Sequence, residues 1–389
     1  MFAIFYTNVD RYGNQILFRG YNNKTQITKK VKFEPTLYIP SPKGTWKTLD
    51  GRTVDSVQPG SMRDCKEFMD KYADVDNFTV YGTTNYVHQF ISDAFPKTIK
   101  YDRTRINICT IDIEVASGDA GFPEPSEARH EVITITIKNN NGTIYHTWGL
   151  HDFNPDKSGM PVLYRKCKNE RELLLDFIDY WADHVPDILT GWYSEFFDVP
   201  YLVNRIARIF GEDMVKSLSP WKLVRENNVY IAGVQHVGFN IVGVTQLDYI
   251  DLFKKFTLNT LGQQESYKLD HIANVVLGEK KLDYSEYGSL HMLYKHDYQK
   301  FVEYNVKDVE LVDKIEDKLG LIDLVLTMAY RAKCSLGETL GTVGIWDAIL
   351  YNEFKSRKIV VPPKTDSRYD TIEGGYVKNP QVGLHNWVV

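Results

Sequence analysis

The sequence predicts an α/β (α+β) fold, in which a mixed sheet flanked by helices follows a β-rich amino-terminal region. Three observations lead there. Residues 107–115 form a run rich in β-branched side chains, the composition of a buried strand. Residues 170–181 place Leu173, Leu174, Phe177 and Trp181 on one helical face. Most of 251–350 then reads as helices, so strands come first and helices alternate with strands after them.

In the first 105 residues the strand-like segments are 3–6, 16–21 and 31–38, separated by Gly, Asn and Pro turns. A helix is expected over 61–72, opening at Ser61, with Met62, Phe68 and Met69 near one face. Segment 131–138 alternates apolar and polar residues as a half-buried strand does, and 143–148 follows an Asn-Gly turn. A short strand is expected at 187–192, a helix at 199–210 and a hairpin at 229–244 around Gly233 and Gly238. A further strand at 246–250 comes next, then a helix at 299–315. The stretch from Val360 is strand-like again.

At 389 residues, two domains are the default expectation. The apolar fraction of 43% and charged fraction of 25% are ordinary for a globular protein. A net charge of −5, from 46 basic and 51 acidic residues, leaves nucleic acid open as a partner, because a basic channel can sit on an acidic protein. Cys65, Cys109, Cys167 and Cys334 are scattered without CxxC spacing, which excludes a disulfide framework and a thiolate zinc site. The start lacks the pattern of a signal peptide, and no apolar run reaches bilayer length. A soluble, intracellular protein is expected.

Three acidic segments carry the chemistry. In Asp112-Ile113-Glu114 the two carboxylates share one strand face, with Ile111, Ile113 and Val115 on the other. Acidic side chains are poor strand formers and rarely stay buried unpaired, although a strand running out into solvent would also show them. Asp198 lies in Phe197-Asp198-Val199-Pro200, where an aspartate before a helix is most often an N-cap. Tyr304 and Asp308 are four apart and share a helical face, where a plain Tyr–Asp hydrogen bond is the simpler alternative. Four converging carboxylates repel one another and are tolerable around hard cations such as Mg2+ or Mn2+. A pair of such ions is a standard device for cutting phosphodiesters.

In this order and in these elements, the segments resemble the Exo I, Exo II and Exo III motifs of DEDD 3′→5′ exonucleases, in the subclass with tyrosine in the last motif. Residues 190–201, 247–256, 121–125 and 342–349 also resemble the family B DNA polymerases of large tailed bacteriophages. The similarity is plain from about Tyr101 and fainter before it.

The resemblance implies a ribonuclease H-like exonuclease domain over 106–339, set into a β-rich amino-terminal domain of 1–105 that is completed by about 340–389. It implies that Asp112 bridges two divalent ions, Mg2+ or Mn2+, that Glu114 and Asp308 complete one site, and that Asp198 holds the other ion. By the same resemblance Tyr304 orients the attacking water, Phe122 and Phe197 contact DNA, and the 229–244 hairpin helps separate primer from template.

The family usually has Asn five residues before the Exo II aspartate, where it contacts the terminal nucleotide; here Tyr193 stands. The implied partners are the 3′ end of single-stranded DNA, primer-template DNA, a polymerase domain, a sliding clamp and, at the amino-terminal region, RNA. The implied location is the cytoplasm of a phage-infected bacterium. No SLYPS-type or YGDTDS-type segment occurs, so DNA synthesis is not expected of this chain. Two other readings fit the residues: a nucleic-acid-binding or replisome-docking module with secondary hydrolysis, and a DEDD-type ribonuclease.

Overall fold

A computed structural model describes residues 4–116, 123–231 and 234–362. Strands β1 (Ile4–Tyr12), β2 (Gln15–Asn22) and β3 (Thr25–Lys32) form an antiparallel meander. Next come β4 (Leu37–Pro40), β5 (Trp46–Thr48), β6 (Thr53–Val57), α1 (Met62–Tyr72) and α2 (Tyr86–Ala94). The strand expected at 31–38 is not one element. It straddles the end of β3 and the start of β4, because Pro35 between them has no N–H to give a ladder. Helix α1 starts where expected, at a Ser61–Asp64 capping box.

The following elements are β7 (Ile108–Val115), β8 (Val132–Asn139), β9 (Tyr145–Gly149), β10 (Val162–Lys166), α3 (Glu170–Asp183), β11 (Ile188–Thr190), α4 (Asp198–Phe210) and α5 (Glu212–Val215). A hairpin of β12 (Val224–Ile231) and β13 (Val234–Ile241) leads to the short β14 (Thr245–Gln246). The hairpin begins five residues before the expected 229. The chain then runs through α6 (Tyr249–Leu261), α7 (Leu269–Leu277), α8 (Leu290–His296), α9 (Tyr298–Leu319), α10 (Leu321–Ala332), α11 (Thr342–Ser356) and β15 (Ile359–Val360). The strand expected over 246–250 ends at Gln246, since Asp248 caps α6 by accepting the Ile250 N–H at 3.2 Å.

The central six-stranded sheet has the order β10-β9-β8-β7-β11-β14. Strand β7 is antiparallel to β8 and parallel to β11, so the sheet is mixed. One face packs Ile111, Ile113, Ile135 and Ile137 with α3 and α4 residues such as Phe177 and Ile206. Helix α9 crosses the other face at β7 and β8. A second core joins Phe5, Tyr6 and Phe90 to Phe253, Ile322 and Tyr330. β15 returns to pair in parallel with β5 in the sheet β15-β5-β6-β4. Among the described residues no helix is long and apolar enough to cross a membrane.

Candidate active site

The strand alternation of β7 aims Asp112 and Glu114 at α9 while Ile111, Ile113 and Val115 stay in the core. On α9, Tyr304 and Asp308 are a turn apart and both buried. Carboxylate oxygens of Asp112, Glu114 and Asp308 lie within 4.8 Å of one another, a spacing at which one cation could touch all three. Oδ1 of Asp308 is buried without a hydrogen-bond partner. An acceptor left bare in a cluster of acids suits a hard cation.

Asp198 is buried as the first residue of α4 and is not the N-cap, a place held by Phe197. Its Oδ1 accepts the Ile113 N–H at 2.9 Å, which ties α4 to β7 between the two strand carboxylates. It stands outside the close group of three, yet after burial its charge is the strongest influence raising the Asp112 pKa, ahead of Asp308 and Glu114. Burial, then Asp308, pushes Glu114 up to about 8. Burial also pushes Asp198 up to about 7, against the Ile113 N–H that holds it down.

Two further residues complete the arrangement, and sequence reasoning singled out neither. Lys281 donates to Asp308 Oδ2 and, at 2.9 Å, to the Tyr304 hydroxyl, with its ammonium 4.8 Å from the Tyr304 ring centre. Burial works against the Lys281 charge, but Asp308, Tyr304 and Asp112 outweigh it and raise the pKa. Gly278, at φ +73°, ends α7 in the left-handed region and turns the chain back toward the site. Asp270 then accepts the Lys281 backbone N–H at 2.8 Å. Asn305, fully buried, donates to Asp112 Oδ2 at 2.6 Å, while its own oxygen accepts from Thr134, at 3.3 Å, and from Thr136. Asn305 thereby fixes the Asp112 carboxylate from behind. The signal for it was its place inside the 304–308 segment, one residue past Tyr304.

Phe197 is partly buried and faces Tyr201, ring centres 5.7 Å apart, in the core that α3 and α4 share with the central sheet. Phe122 lies outside the described residues. A cavity of about 560 Å³ opens beside the carboxylates, and Asp112, Lys281, Tyr304, Asp308, Trp192 and Tyr193 are among the residues that line it.

The model of the exonuclease domain of DNA polymerase family B matches residues 65–272, just over half of the chain. The chain belongs to the family B DNA polymerases. It is 32% identical to the DNA-directed DNA polymerase of Escherichia phage RB69, over 99% of this chain and 45% of that relative. The enzyme of the same name from Enterobacteria phage T4 is 30% identical, over 97% of this chain and 44% of its own length. DNA polymerase 1 of Sulfurisphaera ohwakuensis is 27% identical over 82% of this chain. The chain therefore spans less than half the length of these curated relatives. The family B match begins in α1 and ends in α7, so it takes in β7 and α4 with Asp112, Glu114 and Asp198.

Proposed function

We propose that this chain is the 3′→5′ proofreading exonuclease portion of a replicative family B DNA polymerase. It hydrolyses the last phosphodiester of single-stranded DNA and releases 5′-mononucleotides. The observation that carries this reading is the close group of Asp112, Glu114 and Asp308 with an unpartnered, buried Asp308 oxygen. Buried acids held near neutrality by burial and mutual repulsion are costly to ionise, and a divalent cation removes that cost.

Asp112, Glu114 and Asp308 would hold one ion, and Asp112 with Asp198 a second, either Mg2+ or Mn2+. Bound there, such ions lower the pKa of the attacking water and stabilise charge on the leaving 3′ oxygen. The protein's own part is to position these groups. Asn305 orients Asp112, the Ile113 N–H orients Asp198, and Lys281 places a positive charge beside Asp308. The Tyr304 hydroxyl, fixed by Lys281 at 2.9 Å, would orient the water. The 560 Å³ cavity would take the terminal nucleotide, and a mispaired end reaches it more often because it costs less to unstack.

In this reading, 106–339 is the exonuclease domain, and 1–105 with about 340–389 is an amino-terminal domain able to bind RNA. As the family resemblance implies, Phe122 and the exposed part of Phe197 would contact the DNA, and the β12–β13 hairpin would guide the separated strand. Primer-template DNA, a polymerase domain and a sliding clamp are the partners, in the cytoplasm of an infected bacterium. Digestion of a 5′-labelled single strand tests it. A ladder shortening from the 3′ end, stopped by EDTA and restored by magnesium or manganese, is expected. Preference for RNA, or cleavage indifferent to EDTA, would overturn it.

A further inference from the structure

Resting on that reading, we infer that Tyr193 is a specificity-determining residue whose ring stacks on the base of the 3′-terminal nucleotide while the scissile phosphate lies over Asp112, Glu114 and Asp308. Tyr193 stands at the wall of the same cavity as Asp112, Tyr304 and Asp308, and its side chain is 42% exposed. The neighbouring rings are committed to the fold. Trp192 donates its indole N–H to the Tyr267 carbonyl at 3.0 Å and packs toward Tyr249, and Tyr304 is buried under Lys281. Among the described residues, Tyr193 is the exposed aromatic side chain of this cavity.

The backbone that presents this ring is built at some cost. Tyr193 has φ +68°, in the left-handed region that bulky residues rarely adopt. Buried Asp248 holds it there: Oδ1 accepts the Tyr193 N–H at 2.9 Å and Oδ2 the Glu195 N–H at 2.9 Å. On the other side of the loop, Phe196 packs against His236 of β13, with ring centres 5.3 Å apart, and Tyr193 leans on Phe196 at 5.8 Å. A partly exposed ring on a backbone held this firmly, at the wall of the cleft, can offer its open surface for stacking. Every base has a matching face, so recognition would tolerate sequence and favour larger bases. Burial and then the charges of Asp248, Asp251 and Glu124 raise the phenol's pKa, so the ring is neutral at physiological pH.

The test compares wild type with Tyr193→Phe, which keeps the ring, and Tyr193→Gly, which tolerates the left-handed backbone and removes the ring without putting another contacting side chain in its place. Substrates are single strands ending in adenosine or in an abasic nucleotide. Tyr193→Gly should raise KM on the order of 10-fold for the adenosine end. It should leave KM at the abasic end within about 2-fold, with kcat little changed, and Tyr193→Phe should match wild type. A second readout needs no turnover. In an Asp112→Asn background, fluorescence of a 3′-terminal 2-aminopurine should be quenched on binding when Tyr193 is intact and equally after Tyr193→Phe, and not after Tyr193→Gly.

Equal losses at adenosine and abasic ends, or quenching indifferent to the ring, would overturn the inference. Quenching that depends on Tyr193, in a chain that never cuts DNA with magnesium present, would uphold the stacking and sink the hydrolase reading.

Discussion

Asn305 and Lys281 show how much of this site depends on side chains that are not themselves acidic. Asn305 makes the only hydrogen bond described for the Asp112 carboxylate, at 2.6 Å. Asn305→Leu should leave Asp112 free to rotate and reduce metal affinity or kcat by roughly 10- to 100-fold, as such supporting changes commonly do. Manganese titration followed by single-turnover cleavage would measure both. Lys281 supplies the positive charge nearest Asp308. Lys281→Met should destabilise the protein by about 3 kcal/mol in EDTA, because Asp308 is then a buried charge without its partner. Saturating magnesium should recover much of that loss, which thermal melting in the two buffers would show. Lys281 was not legible in the sequence, and Asn305 only through its place inside the 304–308 segment. A lysine between two helices carries no periodicity, and Asn305, one residue past Tyr304, carries no charge to mark it among the acids.

At the scale of elements, strand β7 was plain from sequence because β-branched residues at alternate positions leave two acids with nowhere else to point. Helix α9 was likewise readable from Tyr304 and Asp308 four apart. Helix α2 was missed within a region read as β-rich, although Asn85 accepts the His88 N–H as its cap. The 246–250 segment misled because its apolar residues suit either element, and only the Asp248 cap decides between them.

The loop between β11 and α4 depends on one residue that packing dictates. A Cβ on Gly191 would lie 2.7 Å from the Ile111 carbonyl oxygen and 2.8 Å from Ser194 Cβ. Gly191→Ala should therefore push the loop off β7, lowering stability by about 1–3 kcal/mol. Cleavage should fall with it, since Asp198 sits at the loop's far end. Urea unfolding and the cleavage rate of one preparation would check both.

At the scale of the molecule, one buried carboxylate gathers several of the bonds that tie the amino-terminal meander to the central sheet. Asp187, just before β11, accepts hydrogen bonds from Thr7 at 2.9 Å, Tyr21 at 2.8 Å and the Asn107 N–H at 3.0 Å. Buried Arg19 lies 3.7 Å from it and donates to the carbonyls of Val185, Pro186 and Gly243. Asp187→Ala leaves that guanidinium without its counter-charge, and a loss of about 3–5 kcal/mol is expected. Unfolding should shift as one transition when followed by tryptophan fluorescence and by circular dichroism. This long-range pairing could not be read from sequence, because nothing in a local window connects Arg19 to Asp187.

The central claim is that Asp112, Glu114, Asp198 and Asp308 together hold divalent cations. Anomalous diffraction from crystals soaked in manganese tests it most directly. Two peaks are predicted, one touching Asp112, Glu114 and Asp308 and one between Asp112 and Asp198, both lost in Asp112→Ala. Crystals that bind manganese elsewhere and show no peak at Asp112 would contradict the account.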